Sequence, residues 1–288
     1  MRRPPSRLRL VGDREESLLA LVVRRGGIAD ELAREAIGRG GAFVRGKRVR
    51  EIDCAIHAGD RVELALQAPG PPPLTRERLL HLDDLVIAID KPAGVAAQED
   101  LAGGPALADL CSALLRALGE KQAAALLVHR LDRGTTGVTL LARTRRAQAA
   151  LLAEFRDHRA EKDYRALVAP APAEEAGVVE VPVGRRRALT RWQVLERLRE
   201  AALVRALPET GRTHQIRLHL GAIGCPLLGD RAHGGAALLT RASGERHDFA
   251  RPMLHAFRLA VRHPTGGELR IEAPLPGDFE AAREFLRR

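Results

Sequence analysis

Short apolar runs and amphipathic stretches follow one another irregularly along this 288-residue chain. The runs at 85–89 and 138–141 are short and rich in Val, Ile and Leu, which is typical of buried strands. Between 145 and 158 the apolar side chains instead recur three to four residues apart, as on one face of a helix. The order is mixed rather than a regular strand–helix alternation, so the pattern predicts an α+β fold.

The same patterning predicts further elements on both sides of these. Helices are expected at 17–23, at 30–37 and from about 213 to 224, and strands at 42–44, 61–66, 164–168 and 203–207. The last helix carries Ile216, Leu220 and Ile223 on one face, and Pro226 follows its end.

A proline-rich stretch interrupts the pattern at 68–73, where Ala-Pro-Gly-Pro-Pro-Pro favours an extended spacer. It predicts a basic tail at 1–12, a small module at 13–67, a linker at 68–78 and a larger domain at 79–288. The module is near the size at which independent folding becomes marginal.

Composition and charge narrow the class of protein. Lysine and arginine outnumber aspartate and glutamate by 47 to 37, and the resulting net charge of +10 favours a polyanionic partner such as nucleic acid. No apolar stretch approaches the roughly 20 residues of a membrane span, and the N-terminus lacks the apolar core of a secretory signal. A cytoplasmic protein without a membrane partner is therefore expected. Cys54, Cys111 and Cys225 are far apart and are expected to be buried thiols, and no metal site is predicted.

Residues 41–47 fit the phosphate-binding pattern G-x-x-x-x-G-K. However, Arg48 follows where such a loop needs a hydroxyl for magnesium, and no strand-then-helix context surrounds the motif. Two strands joined at 45–47 are the preferred interpretation.

Two polar clusters carry the candidate chemistry. Residues 129–137 read His-Arg-Leu-Asp-Arg-Gly-Thr-Thr-Gly and place an acid between cations in a turn. Taken alone, such a turn is more often a solvated loop with ion pairs. Residues 210–219 add cationic and polar side chains at a predicted helix start, where anions are favoured. Together the clusters suit a phosphate and the edge of a base.

These clusters belong to a series of ordered motifs that resembles the pseudouridine synthases of the RluA type, which isomerise uridines in ribosomal or transfer RNA. The series consists of Lys-Pro-Ala-Gly at 91–94, His-Arg-Leu-Asp at 129–132, Glu-Lys-Asp-Tyr at 161–164, Gly-Arg-Thr-His-Gln-Ile-Arg-Leu-His at 211–219, Gly-Asp at 229–230 and a closing segment at 254–276. It covers nearly all of residues 80–280. The resemblance implies a mixed, largely antiparallel sheet flanked by helices, and an enzyme that needs no cofactor.

The upstream module at 13–67 resembles the small α-L RNA-binding module first named for ribosomal protein S-four. The likeness rests on Gly-Gly-Ala-Phe-Val-Arg-Gly-Lys at 40–47 and Ala-Gly-Asp-Arg-Val at 58–62. The second helix of such modules is usually basic, whereas here it is predominantly acidic, so the strength of RNA binding by this module is left open.

The resemblance also implies roles for single residues. Asp132 is the carboxylate that attacks the ribose or stabilises the cation developing there, and Arg217 pairs with it. Tyr164 stacks on the uracil or relays the proton lost from C5, and the sequence does not separate these roles. Arg130 fills the gap left by a flipped-out uridine, with a phosphate contact as the alternative. RNA is expected to be bound by Arg130, His129, Arg212, His214, Gln215 and Lys91.

The sequence thus predicts an RNA pseudouridine synthase acting on a flipped-out uridine. Large-subunit ribosomal RNA is the favoured substrate, transfer RNA remains open, and a monomer is the default. The alternative is an RNA-binding or ribosome-assembly factor that keeps the fold without catalysis. A glycosidase is a distant third, because its mechanism needs two carboxylates and the clusters supply one obvious acid, Asp132.

Overall fold

The chain divides into two compact units. The computed structural model describes residues 7–38, 40–66, 73–98, 105–241 and 243–287. The first unit comprises residues 1–73 and 98–110, and the second comprises residues 74–97 and 111–288.

In the first unit, two amphipathic helices pack on one face of a small sheet. Its elements are β1 (Arg7–Val11), β2 (Glu16–Ser17), α1 (Leu18–Gly26), α2 (Asp30–Gly38), β3 (Ala42–Val44), β4 (Lys47–Val49), β5 (Ala55–Ile56) and β6 (Arg61–Ala65). Four strands pair in the order β1–β6–β3–β4. The Ser17 hydroxyl accepts a hydrogen bond from the Ala20 amide at 3.2 Å, which caps the start of α1.

The glycine-lysine motif at 41–47 forms a hairpin, as predicted. β3 and β4 are antiparallel, with Val44 opposite Lys47. The two residues of the turn, Arg45 and Gly46, both have positive φ, at 52° and 76°. This is the backbone that a two-residue hairpin turn requires, and it does not cradle a phosphate.

One part of the predicted tail differs. Residues 7–11 form the strand β1, which pairs antiparallel with β6. Leu8 and Leu10 pack against the apolar core of the unit, while the alternate residues 7, 9 and 11 are exposed. Residues 7–11 therefore show the alternation of a half-buried strand. Residues 1–6 of that tail and 68–72 of the predicted linker lie outside the described residues.

The remaining elements form a larger sheet with its helices. They are β7 (Leu79–Leu82), β8 (Val86–Lys91), α3 (Leu107–Ala117), β9 (Leu126–Leu127), β10 (Thr136–Ala142), α4 (Arg145–Arg156), β11 (Glu161–Val168), β12 (Ala176–Val179), β13 (Thr190–Leu198), β14 (Ala201–Pro208), α5 (Gln215–Ala222), β15 (Leu238–Thr240), β16 (Arg246–Asp248), β17 (Leu254–Arg262), β18 (Glu268–Glu272) and α6 (Gly277–Arg287). The large sheet runs β12–β13–β14–β11–β17–β10–β8–β7, with β18 on β17 and β9 on β10. Its strands are antiparallel except for β10 and β17, which confirms the expected mixed, largely antiparallel α+β fold.

Helices cover both faces of this sheet. Ile216 and Leu220 of α5 share an apolar cluster with Val204 of β14, whereas Phe279 of α6 shares another with Leu203. Successive residues of a strand point to opposite faces, so α5 and α6 lie on opposite sides.

A glycine lets the two central strands approach closely. β10 and β17 pair in parallel, with Thr136 opposite His255 and Gly137 opposite Ala256. A Cβ atom on Gly137 would lie 2.2 Å from the Ala256 carbonyl oxygen, and φ of Gly137 is 110°, so only glycine fits. This contact fixes the start of β10, directly after the polar loop at 129–135.

The three cysteines differ in burial. Cys111 and Cys225 are buried as expected, whereas Cys54 is only half-buried. Among the residues that the structure describes, no helix is long and apolar enough to cross a membrane. The same residues contain no group of three or more potential ligands that could hold a metal ion.

Candidate active site

A cleft of about 520 Å³ lies between the loop at 129–135, the start of α5 and the strand β11. Asp132, Tyr164 and Arg217 all line it, although they are far apart in sequence. Five of the six residues expected to bind RNA also lie on its wall: His129, Arg130, Arg212, His214 and Gln215. The structure therefore brings together the three residues to which the resemblance assigned catalysis.

Arg217 links Asp132 to a buried acid. Its Nη1 donates to Asp132 Oδ2 at 3.2 Å, while its Nε and Nη2 donate to the two carboxylate oxygens of Asp230, both at 2.7 Å. Arg217 is 8% exposed and Asp230 is 1% exposed, so this forked contact is shielded from water. The Asp132 side chain is 26% exposed and still reaches the cleft. An accessible carboxylate held against an immobilised cation can attack an electrophile or stabilise a cation.

The expectation that Lys91 binds RNA is wrong, because this side chain is fully buried beneath the loop at 129–135. Its Nζ donates to the carbonyl oxygens of Val95 at 2.9 Å, Pro92 at 3.0 Å and Arg133 at 3.3 Å. These three oxygens occupy the three N–H donors of an ammonium group. Lys91 therefore supports the backbone next to Asp132 and has no surface to offer to RNA.

Arg251 supports the same loop, and the sequence motifs did not identify it. Its Nη1 donates to the carbonyl oxygens of Gly134 and Leu254, both at 3.2 Å. Its Nε and Nη2 donate to the carboxylate of Asp278 in α6, at 2.7 and 3.0 Å. No local signal marks this arginine apart from its place just before the closing motif, because Gly134 and Asp278 lie far from it in sequence.

The structure also corrects the expectation that Gln215 binds RNA. Its Nε2 donates to the Leu189 carbonyl oxygen at 2.9 Å and to Thr190 Oγ1 at 3.0 Å. Its Oε1 accepts from Thr210 Oγ1 at 2.7 Å and from the Arg212 amide at 3.0 Å. The buried amide has thus used both donors and both acceptor positions. It ties the turn before α5 to β13 and has no group left for RNA.

His129 lines the cleft but acts mainly as a support. Its Nε2 accepts the Leu140 amide hydrogen at 2.9 Å, and its ring stacks on Phe155 with the centroids 4.6 Å apart. Burial lowers the pKa of His129 to about 3, so the ring is neutral at neutral pH. It therefore offers no cation to a phosphate, although the sequence placed it among the residues expected to bind RNA.

Arg130 and Arg212 present cations along the mouth of the cleft. Arg130 is exposed, and its Nη2 donates to Thr213 Oγ1, which joins the loop at 129–135 to the start of α5. Arg212 is half-buried, and its Nε donates to the Arg187 carbonyl oxygen at 3.2 Å. With His214, these two residues keep polar groups on the cleft wall, so three of the six expected RNA contacts fit their position.

Tyr164 lies in β11 and packs beside the apolar cluster that α5 covers. Burial, with a smaller contribution from the charge of Asp132, raises the pKa of Tyr164. Its hydroxyl therefore keeps its proton at neutral pH. A protonated phenol can stack on a base, donate a hydrogen bond or relay a proton, but it is not a preformed base.

Several known proteins are similar to this chain. The family model described as RNA pseudouridylate synthase matches residues 85–222. Ribosomal large subunit pseudouridine synthase D of Xanthomonas campestris is 34% identical over 281 residues, covering 88% of this chain and 83% of that protein. The protein of the same name from Vibrio parahaemolyticus is 37% identical over 232 residues, covering 73% and 70%. Among solved structures, human RNA Pseudouridylate Synthase Domain Containing 4 matches with a TM-score of 0.61 at 27% identity, covering 73% of this chain and 93% of that one. None of these names refers to an α-L module, and that interpretation of residues 13–67 stays a prediction.

Proposed function

Because this chain belongs to the RNA pseudouridylate synthase family, we propose that it isomerises a uridine of large-subunit ribosomal RNA to pseudouridine, with Asp132 as the reacting carboxylate. The reaction class follows from the family. The choice of RNA is supported by the relatives from Xanthomonas campestris and Vibrio parahaemolyticus, whose names specify the large ribosomal subunit.

The contact between Asp132 and Arg217 is the observation that carries the proposal. The reaction breaks the bond between C1′ of the ribose and N1 of uracil, turns the base, and joins C1′ to C5. Asp132 is the accessible acid of the cleft and supplies the negative charge that attacks the sugar or stabilises its cation. Arg217, which Asp230 holds by a forked contact, stays in place while that charge changes.

Tyr164 and Arg130 take the two remaining tasks. Once C1′ is bonded to C5, the proton on C5 must leave, and the hydroxyl of Tyr164 on the cleft wall relays it by taking it up while its own proton passes to water. A uridine in folded RNA must also leave its stack, and exposed Arg130 at the mouth of the cleft fills the gap. We keep the monomer as the default oligomeric state. An enzyme that acts on ribosomal RNA is expected in the cytoplasm.

The runner-up is an RNA-binding or assembly factor that does not catalyse, and the Asp132→Asn variant separates the two. Pseudouridine is mapped in ribosomal and transfer RNA from cells that lack the protein and from cells rescued with wild type or Asp132→Asn. We expect one site in large-subunit ribosomal RNA to vanish on deletion and to return only with wild type. The variant keeps the size of the side chain, so its RNA affinity is expected to remain.

The other outcomes each overturn a part of the proposal. A site that returns with Asp132→Asn removes the carboxylate from the mechanism. A site that changes only in transfer RNA corrects the substrate. If no site changes while RNA binding is intact, the assembly factor becomes the better description.

A further inference from the structure

One turn supports both polar groups that face Asp132. His214 and Arg217 lie three residues apart at the start of α5, and Asp230 and His233 lie three residues apart in the turn behind them. Arg217 contacts Asp230, as described above. His214 likewise contacts the second residue of this turn, His233, with 3.1 Å between His214 Nδ1 and His233 Nε2. The two rings meet edge to face, with an interplanar angle of 73°.

The other nitrogen of His214 faces the reacting carboxylate. His214 Nε2 lies 3.9 Å from Asp132 Oδ2. The backbone of His214 is in the left-handed region, with φ of 58°, although the residue is not a glycine. This uncommon conformation places the ring between the turn and the cleft.

The charge of Asp132 decides where the ring of His214 carries its proton. Burial lowers the pKa of His214, although Asp132 acts in the opposite direction, so the ring is neutral at neutral pH. A lone pair on Nε2 would face the carboxylate and be repelled, so the single proton belongs on Nε2. Nδ1 is then the acceptor, and His233 Nε2 must donate the hydrogen bond between the rings. The charged and titratable groups around His214 are Asp132, Arg217, Asp230 and His233.

The turn that carries His233 has little freedom to move. A Cβ atom on Gly229 would lie 1.9 Å from the Arg251 carbonyl oxygen, and one on Gly235 would lie 1.8 Å from the Leu227 carbonyl oxygen. Within the turn, the His233 amide donates to the Asp230 carbonyl oxygen at 3.0 Å. His233 therefore holds its partner from a fixed position, as a support for a reacting group must.

We propose that His233 is a positioning residue that fixes His214 as a hydrogen-bond donor, through Nε2–H, to an oxygen of the flipped-out uridine beside Asp132. The inference rests on the proposed function, because it names a contact to the uridine. Asp230 and His233, which come from one turn, then have different tasks. Asp230 orients Arg217, which holds Asp132. His233 determines which nitrogen of His214 carries the proton.

The test compares two variants of His233 in the full-length protein. His233→Leu removes the donor, whereas His233→Gln can donate to His214 Nδ1 through its amide. Long-range ¹H–¹⁵N NMR spectra of the imidazoles report which nitrogen of His214 is protonated, and a His214→Gln spectrum assigns the signal. We expect the proton on Nε2 in wild type and in His233→Gln, and a mixture of the two forms in His233→Leu.

Single-turnover kinetics on a pseudouridine substrate RNA give the second measurement. We expect the rate to fall about tenfold in His233→Leu, with RNA affinity unchanged and most of the rate retained in His233→Gln. Glu268→Gln, a change at an exposed ion pair with Arg270 in β18, is the control and should leave the rate unaltered.

The inference is overturned if wild-type His214 carries its proton on Nδ1, a result that does not depend on any change at His233. It is also overturned if His233→Leu keeps the full rate, or if its RNA affinity falls while the rate does not, because His233 would then contact RNA itself. Failure of the proposed function looks different. In that case the wild type makes no pseudouridine, while the proton position on His214 can still be read.

Discussion

Three buried side chains support the candidate catalytic residues from inside the protein. Lys91, Arg251 and Asp230 are each hydrogen-bonded within the protein, and their partners are the backbone around Asp132 or the guanidinium beside it. The sequence brought Asp132, Tyr164 and Arg217 forward because motifs carry them. It misplaced Lys91, because a charged side chain is usually exposed. Two of the carbonyls that hold its ammonium group are local, those of Pro92 and Val95, and the third, that of Arg133, comes from another segment.

Asp230→Asn tests this supporting layer. Asparagine keeps one acceptor oxygen but loses the charge, so the buried guanidinium of Arg217 is left poorly compensated. We expect the single-turnover rate to fall about a hundredfold and the free energy of unfolding to fall by about 2 kcal/mol or more. The measurements are pseudouridine formation and urea unfolding.

The matched control is Glu268→Gln, at an exposed ion pair with Arg270. It should change the free energy of unfolding by less than about 0.5 kcal/mol. Equal effects of the two changes would show that the buried contact of Asp230 contributes no more to stability than an exposed ion pair does.

Tyr164→Phe separates stacking from proton relay. The substitution keeps the ring and removes the hydroxyl, whose proton the raised pKa retains at neutral pH. We expect RNA affinity to stay constant and the rate of product formation to fall by roughly a hundredfold, the scale of general acid–base catalysis. A wild-type rate in this variant would leave stacking as the whole role of Tyr164.

His255 gives the protein a pH-dependent stability. Its Nδ1 accepts from Thr136 Oγ1 at 2.8 Å and its Nε2 donates to the Ala273 carbonyl oxygen at 3.2 Å. Burial lowers the pKa of His255 to about 4, against about 6.5 in an unfolded chain. Between these values the unfolded chain binds a proton that the folded chain does not. The free energy of unfolding therefore falls as the pH decreases from about 6.5 to about 4, by at most about 1.4 kcal/mol per pH unit from this group.

Urea unfolding of wild type and His255→Gln between about pH 4 and pH 7 checks this slope. The variant is expected to be less stable at neutral pH but to lose less on acidification. His57→Gln, at an exposed site, should keep the wild-type slope. Parallel curves for wild type and His255→Gln would contradict the assignment.

At the level of elements, the spacing of apolar residues predicted the helices and strands that can be identified from a short stretch of sequence. α1, α2, α4 and α5 and the strands β3, β8, β10, β11 and β14 lie at or within a few residues of their predicted bounds. β13 was missed, although its alternation of buried and exposed residues is present in the sequence. β17 is buried along most of its length, and its neighbours β10 and β11 come from much earlier in the chain, so its pairing with these two strands had no local signal.

The tight packing of β10 against β17 depends on Gly137. In Gly137→Ala the new Cβ atom meets the Ala256 backbone at 2.2 Å, so β10 and β17 must separate. We expect the free energy of unfolding to fall by more than about 3 kcal/mol and activity to be lost with it. Thermal or urea unfolding measures the first effect.

Gly119→Ala is the control, because Gly119 also has positive φ, at 79°, but stands in open space. Among the described residues, none beyond its chain neighbours would come within 4 Å of an added Cβ atom. The change isolates the cost of the backbone conformation, about 1 kcal/mol. If both variants lose the same amount, crowding at the two strands is not what requires glycine at 137.

At the level of the whole molecule, the net charge of +10 indicates that RNA affinity depends on salt. Arg130 and Arg212 are two of the cations that line the cleft, together with Arg156, Lys162 and Arg217. Arg212→Gln should weaken RNA binding and reduce the slope of log affinity against log salt concentration by roughly one. Binding measured across a salt series checks the slope.

Arg270→Gln, which removes an exposed arginine from an ion pair with Glu268 in β18, is the control and should alter the slope less. Arg130→Gln adds a distinction. If Arg130 fills the gap left by the uridine, the rate falls more than the affinity does, whereas a phosphate contact lowers the affinity and the slope. If the RNA affinity of the wild type does not change with salt concentration, the proposal that positive charge contributes to RNA binding is wrong.

The parallel pairing of β10 with β17 also sets when activity can arise during translation. Thr136 is synthesised 119 residues before His255, its partner across the two strands. Asp278, which holds Arg251 against the same loop, emerges later still. Through most of its synthesis the nascent chain carries Asp132 without the contacts that hold it in place. Modification of RNA is thus expected only after the segment that carries Asp278 has been synthesised and has packed against Arg251.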